Sequence, residues 1–127
     1  MSLTKSTVYS VQTIFNQIFD PATNTLTIGT TPAPATAIAS GRKTITAAGT
    51  AEALSTSTSC RLITITALFS NTGVVCVGGS GVIATSGSRT GVILSPGDSY
   101  ELAIDNLSKV YVDASISGEG VSFAYLS

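Results

Sequence analysis

The sequence contains no histidine and no tryptophan, and charged residues make up only 10% of its 127 residues. Histidine is the usual general base near neutral pH and the commonest protein ligand for metals. Its absence therefore excludes Ser/His/Asp and Cys/His catalytic sites and histidine-dependent zinc sites. No nucleophile elbow of the G-x-S-x-G type occurs either. We therefore expect a protein that is not an enzyme and that uses no cofactor.

Charge of either sign is sparse. Six Lys/Arg residues and seven Asp/Glu residues give a formal net charge of −1, and the scattered basic residues form no footprint for a nucleic acid. No apolar run approaches the roughly 18 residues of a membrane span. We expect neither a nucleic acid nor a membrane as a partner. The low net charge gives little self-repulsion and favours association with other protein subunits.

The two cysteines, Cys60 and Cys76, are too few for a disulfide framework. We predict two free thiols that behave as small apolar side chains in a protein made in a reducing cytoplasm.

Serine and threonine are abundant, at 37 of the 127 residues, and there are 12 glycines. From Arg42 onward, short alternating runs are separated by turn residues. The predicted strands are residues 42–48, 51–55, 60–69, 74–78, 81–85, 90–94, 98–105, 109–114 and 120–126. Short strands at this spacing predict an all-β fold, a small antiparallel β-sandwich that is jelly-roll-like.

The alternation predicts which side chains face the core. The inward set is Ile63, Ile65, Ala67, Phe69, Tyr100, Leu102, Ile104, Val110, Val112, Ala114, Val121, Phe123 and Tyr125. A hairpin centred on Thr72 would pair Ile65 with Val77. The GGSG stretch at residues 78–81 lacks the Lys-Ser/Thr ending of a phosphate loop, so it predicts a turn.

Five of the seven acids lie in the last third of the chain: Asp98, Glu101, Asp105, Asp113 and Glu119. Calcium requires six or more oxygens, and no D-x-D-x-D-G spacing occurs. A glycosidase would need two carboxylates in a cleft, and the chain has few aromatic residues to line one. We expect Asp113 and Glu119 to be solvated or interface acids. A calcium site and a glycan site remain open alternatives.

The N-terminal region differs in pattern. Apolar residues at helical spacing in 7–19 predict a helix that either packs on its own domain or docks on a partner. The partner-binding residues of this arm are Val8, Val11, Ile14, Phe15, Ile18 and Phe19. A short strand is predicted at 25–28, and the Pro- and Ala-containing stretch 29–41 predicts a semi-extended linker.

The chain is therefore divided into two parts, an N-terminal docking arm with its linker at residues 1–40 and a β-sandwich domain at residues 41–127.

Several turn and strand motifs follow one another in the C-terminal part of the chain. They are an N-T-G turn (71–73), a V-x-V-G strand (75–78), an L-x-P-G-D-S turn (94–99), an N-L-x-x-V-Y-V-D segment (106–113) and a final strand (121–125). Together with FDPATNTLTI near the N-terminus, this pattern resembles small β-domains in structural proteins of tailed bacteriophages, over roughly residues 15–127.

The resemblance implies a capsid decoration or cement protein, a head fibre or a tail adaptor. Decoration proteins typically sit on the shell as trimers and reach the capsid protein with N-terminal segments. We therefore expect a virion protein on the capsid surface, assembled in the host cytoplasm. Its expected partners are the major capsid protein and copies of itself, with a trimer favoured. The alternative is a tail or fibre module that binds a receptor or a glycan.

Overall fold

The computed structural model describes residues 33–127, together with the strand pair formed by residues 19–20 and 25–26. The chain divides into two compact units, Met1–Pro34 and Ala35–Ser127. The predicted boundary at residue 40 falls inside a strand that begins at Ile38.

The N-terminal unit contains a short antiparallel strand pair. Strand β1 (Phe19–Asp20) pairs with strand β2 (Thr25–Leu26). The predicted strand at 25–28 is thereby confirmed in its first half. Phe19 was predicted to end a helix and lies instead in β1, next to a residue that the following proline restricts to extended backbone. The other residues of the predicted helix, 7–18, lie outside the described residues.

The C-terminal unit is built from two four-stranded antiparallel sheets. The first sheet contains, in spatial order, β3 (Ile38–Thr44), β10 (Gly120–Leu126), β5 (Leu62–Ala67) and β8 (Ser99–Ala103). The second contains β4 (Glu52–Ala53), β9 (Tyr111–Ala114), β6 (Val75–Gly78) and β7 (Val92–Leu94). In chain order, the first and last of these eight strands, β3 and β10, are neighbours in one sheet. The second and the seventh, β4 and β9, are neighbours in the other, which is the jelly-roll order. The predicted small antiparallel sandwich is confirmed.

The core lies between the two sheets and follows the predicted alternation. Ile63, Ile65, Val112 and Val121 are fully buried. Tyr100, Leu102, Ile104 and Tyr125 are half-buried and pack against this cluster from its margin. Every residue of the predicted inward set therefore contributes to the core, with one exception.

Phe69 is the exception, with 85% of its surface exposed. The predicted strand 60–69 continued the alternation through this residue. The strand β5 ends at Ala67, so Phe69 belongs to the following turn and has no inward position.

The predicted hairpin around Thr72 is wrong. β5 pairs with β10 and β8, whereas β6 pairs with β7 and β9 in the other sheet. The connection between β5 and β6 crosses the sandwich, so Ile65 and Val77 belong to opposite sheets and are both buried in the core between them. Asn71 fixes this crossing. Its buried side chain donates to the Gly120 carbonyl at 2.8 Å and accepts from the Gly120 N–H at 3.2 Å.

The predicted strand at residues 81–85 is also wrong. This segment is part of the loop between β6 and β7, which lies over the outer face of the second sheet. Val82 and Ala84 are buried there with Cys76 in a small second cluster. Apolar and polar residues do alternate here, but the apolar ones pack the loop onto the sheet. The segment itself forms no strand.

The two cysteines are free and buried, as predicted. The GGSG stretch forms the predicted turn, closed by the Val82 N–H donating to the Gly79 carbonyl at 3.0 Å. Within residues 33–127, the helical part is a single 3₁₀ turn, Leu107–Lys109, capped by Asn106. No helix among the described residues is long and apolar enough to cross a membrane.

Candidate functional site

The residues predicted to bind a partner lie in the N-terminal unit. Val8, Val11, Ile14, Phe15 and Ile18 lie outside the described residues, and Phe19 is described only as part of the backbone of β1. The candidate surfaces among the described residues therefore belong to the β-sandwich unit.

Asp113 is fully buried, which corrects its prediction as a solvated or interface acid. Its side chain does point away from the sandwich core, as the alternation implies, but two loops cover it. Oδ1 accepts from the N–H groups of Gly49 and Ala114, both at 2.9 Å, and Oδ2 accepts from the Ala84 N–H at 2.7 Å. The carboxylate is a structural tie between the sheet and both loops, so it is not available to a ligand.

Glu119 is half-buried and ties the β9–β10 turn to the β5–β6 connection. It accepts from the Thr72 hydroxyl at 2.8 Å and from the N–H groups of Thr72 at 2.5 Å and Gly73 at 3.0 Å. Burial alone would raise the pKa of the carboxyl group. The hydrogen bonds from Thr72 and Gly73 outweigh it and hold the pKa below its ordinary value.

The lowered pKa of Glu119 makes part of the stability depend on pH. A carboxyl whose folded-state pKa is depressed stabilises the fold above its unfolded-state pKa of about 4.5, and the contribution is lost as the pH falls through the folded-state pKa. We expect Glu119→Gln to reduce the free energy of unfolding near neutral pH and to weaken its decrease on acidification. Urea titrations on either side of pH 4.5 measure both effects.

The matched control is Glu101→Gln, which removes a carboxylate that accepts no backbone N–H. If Glu119→Gln loses as much stability on acidification as the unmodified protein, Glu119 does not supply the pH dependence.

Four connections meet at one end of the sandwich: β3–β4, β5–β6, β7–β8 and β9–β10. Contacts at this end include the Gly97 N–H donating to the carbonyl of Ala67, the last residue of β5, at 2.9 Å and the Ala48 N–H donating to the Ser117 hydroxyl at 2.9 Å. The exposed ring of Phe69 lies directly on Gly97, where an added β-carbon would come within 2.5 Å of the ring. This end thus presents an exposed aromatic side chain to solvent.

A groove of about 740 Å³ lies beside the short edge strand β4. Its walls include Tyr111, the hydroxyl side chains of Ser55 and Ser108, and the ion pair between Lys43 and Glu52. The Lys43 Nζ lies 3.1 Å from Glu52 Oε1. Hydrogen bonds to Glu52 from the Thr46 N–H and from Lys43 lower the pKa of its carboxyl. Both charges are therefore already paired within the protein.

The third candidate surface of the β-sandwich is the outer face of the first sheet, here called the hydroxyl face. The register of the four strands arranges its outward side chains in three rows. The first row is Arg42, Ser122, Thr66 and Ser99. The second is Ser40, Ala124, Thr64 and Glu101. The third is Ile38, Leu126, Leu62 and Ala103.

Within the described residues, no group of three or more histidine, cysteine, aspartate or glutamate side chains is placed to hold a metal ion. The three surfaces are the sandwich end with Phe69, the groove beside β4 and the hydroxyl face. They present an exposed aromatic ring, a concave surface and rows of hydroxyl groups. Sequence reasoning missed the exposure of Phe69 and the rows of the hydroxyl face. The first depends on where β5 ends and the second on strand order, and no local pattern reports either.

Comparisons of this chain with protein-family models, with curated proteins and with solved structures found no match.

Proposed function

We propose that this protein is a non-catalytic structural component of a tailed-phage virion, a capsid decoration or cement protein that binds the major capsid protein and stabilises the head. The order of motifs that resembles phage β-domains motivates the proposal. The jelly-roll sandwich supports it, because a small rigid domain of this kind can pack against a protein shell on several sides.

The observation that carries the proposal is the distribution of large apolar side chains on the surface of the sandwich. Ile38 is 72% exposed, Phe69 85% and Ile93 50%. Ile38 and Ile93 lie on the paired strands β3 and β7, and Phe69 lies in the β5–β6 turn with its ring against Gly97. Exposed apolar groups on a rigid scaffold suit adhesion to neighbouring subunits better than they suit binding of one small ligand.

In this function, the N-terminal arm docks on the major capsid protein and the β-sandwich packs against copies of itself on the capsid surface. Burying the apolar side chains of the arm contributes about 1.5–3 kcal/mol per large residue, before the cost of ordering the segment. The resemblance favours a trimer as the oligomer.

Deletion of residues 1–28 tests the role of the arm. We expect the truncated protein to keep a folded β-sandwich and to lose binding to undecorated capsids, because the predicted contact residues are gone. Co-sedimentation with purified capsids measures binding, and circular dichroism with a thermal melt checks the fold. Full occupancy of capsids by the truncated protein would show that the arm is not the docking element.

The second candidate function is a tail or fibre module that binds a receptor or a glycan. The groove beside β4 favours it, because Tyr111 offers part of an aromatic ring next to several hydroxyl groups. Specific retention on a glycan array that Tyr111→Ala abolishes, with a copy number per particle typical of a tail protein, would select this function. A copy number comparable to that of the capsid protein would select the decoration protein.

A further inference from the structure

The two outer faces of the sandwich differ in how far loops of residues 33–127 cover them. The loop between β6 and β7 covers the second sheet and buries Cys76 completely. The hydroxyl face of the first sheet has no such cover within residues 33–127, and two shallow grooves run over it. Ser40, Arg42 and Glu101 on this face are exposed.

The side chains of the hydroxyl face are short near its centre. Ser122 and Ala124 of β10 lie beside Thr66 and Thr64 of β5. Short side chains leave no large projections at the centre of this face, so a second sheet can approach it closely. The third row is apolar in all four strands, with Leu126 and Leu62 at its centre.

Only two charged residues stand among the twelve positions of the three rows, Arg42 and Glu101. They lie on opposite edge strands and two residues apart along the strand direction, which separates them by roughly 16 Å. Neither forms an ion pair within residues 33–127, and Glu101 has one long contact, 3.5 Å from the Thr64 hydroxyl.

We propose that the hydroxyl face binds the hydroxyl face of a second copy of this chain, about a two-fold axis that runs parallel to the strands. This rotation places each row of one copy over the same row of the other copy. It reverses the order of the strands across the interface. β3 of one copy then lies over β8 of its partner, and β10 lies over β5. The contact is isologous, because the same patch serves both copies.

Charge complementarity favours this arrangement. The rotation brings Arg42 of each copy over the β8 edge of the other, one row away from Glu101. Two equivalent ion pairs form between the copies, whereas Arg42 and Glu101 of one copy form no ion pair within residues 33–127. The two Arg42 side chains stay on opposite edges, so like charges do not meet.

The apolar row selects the same axis. With the axis parallel to the strands, the third row of one copy meets the third row of the other, and Leu126 packs over Leu62. A two-fold axis across the strands would reverse the rows and place Ile38 over Arg42. The parallel axis buries apolar groups against apolar groups, whereas the perpendicular axis removes a charged group from water against an isoleucine.

The size of the face sets the strength of the contact. Four strands and three rows span roughly 400 Å² of flat area, which is below the ~800 Å² per partner of a standard interface. The face-to-face pair therefore depends on protein concentration. It also predicts even-numbered species, either a dimer or a hexamer in which two trimers are paired.

The test is a charge exchange in the full chain, measured by sedimentation velocity over a range of concentrations. Arg42→Glu and Glu101→Arg should each raise the dissociation constant of the even-numbered species by about tenfold or more, because two attractive pairs become repulsive. The double variant restores both pairs and should return the constant towards that of the unmodified protein. Lys109→Glu, an exposed charge reversal on the 3₁₀ turn, should leave association unchanged.

Circular dichroism of each variant establishes that it is folded. A monomer at all concentrations, a strict trimer, or an even-numbered species that the single reversals leave intact would each overturn the proposal. So would a double variant that associates more weakly than either single variant. These outcomes leave the virion function untouched, since capsid binding is measured separately and is assigned to the N-terminal arm.

Discussion

Replacing Asp113 by alanine is expected to lower the free energy of unfolding by about 3–5 kcal/mol. The change leaves the N–H groups of Gly49, Ala84 and Ala114 without the acceptor that now satisfies them. Two of these groups belong to loops that the carboxylate holds on the sheet. Urea denaturation near neutral pH measures the loss, and it should exceed that of any other single acid in the β-sandwich.

A second readout reports the local consequence of the same change. Cys76 is fully buried under the loop that Asp113 anchors, and burial raises the pKa of its thiol, so it should react slowly with a disulfide reagent. We expect Asp113→Ala to accelerate the reaction of Cys76 more than that of Cys60, whose thiol lies elsewhere in the core and donates to the Ile104 carbonyl at 3.2 Å.

Two related variants serve as controls. Asp113→Asn keeps one acceptor oxygen but presents an N–H₂ group to a backbone N–H, so its loss should lie between those of the unmodified protein and the alanine variant. Asp105→Asn alters an exposed carboxylate paired with Lys109 at 2.8 Å, and it should change stability little. Equal stability losses for Asp105→Asn and Asp113→Ala would refute the structural role given to Asp113.

The second large effect is expected at Gly120, the first residue of β10. A β-carbon there would lie 2.0 Å from the Lys43 carbonyl oxygen and 2.9 Å from the Thr44 α-carbon, both of them backbone atoms of β3. Relief requires β3 to move away from β10, which breaks the longest ladder of the first sheet. We expect Gly120→Ala to cost about 3 kcal/mol or more, or to prevent accumulation of folded protein.

Gly79 provides the matched control for this substitution. An added β-carbon at Gly79 meets no atom within 4 Å, and its backbone does not adopt a positive φ. Gly79→Ala should therefore fold normally, with a melting temperature close to that of the unmodified protein. Should Gly120→Ala melt at the same temperature as Gly79→Ala, the close approach of β3 and β10 at Gly120 would be disproved.

Turn chemistry could be read from the sequence because it is local. Ser95-Pro96-Gly97 forms the predicted turn, with Gly97 at a φ of 86° and the Asp98 N–H donating to the Ser95 carbonyl at 2.9 Å. The inward residues of β9 and β10 were predictable for the same reason, since alternation is set by the period of a strand and needs no knowledge of its neighbours.

Strand pairing is not local, and the sequence misled there. The Asn71 turn separates two runs that alternate well, which is the usual pattern of a hairpin. In the structure the turn carries the chain from one sheet to the other. A hairpin and a crossing have the same alternation, and the hydrogen bonds from Asn71 to Gly120, 49 residues away, favour the crossing.

By itself, the sequence determined the all-β class, most of the strands, the turn positions and the free cysteines. These depend on backbone preferences and on the burial of alternate side chains. The tertiary structure alone decided that Asp113 is buried, that Phe69 is exposed and that no segment of residues 33–127 covers the hydroxyl face. Whether a side chain on the outside of a sheet meets water depends on which distant loop folds over that sheet, and the loop between β6 and β7 covers one sheet only.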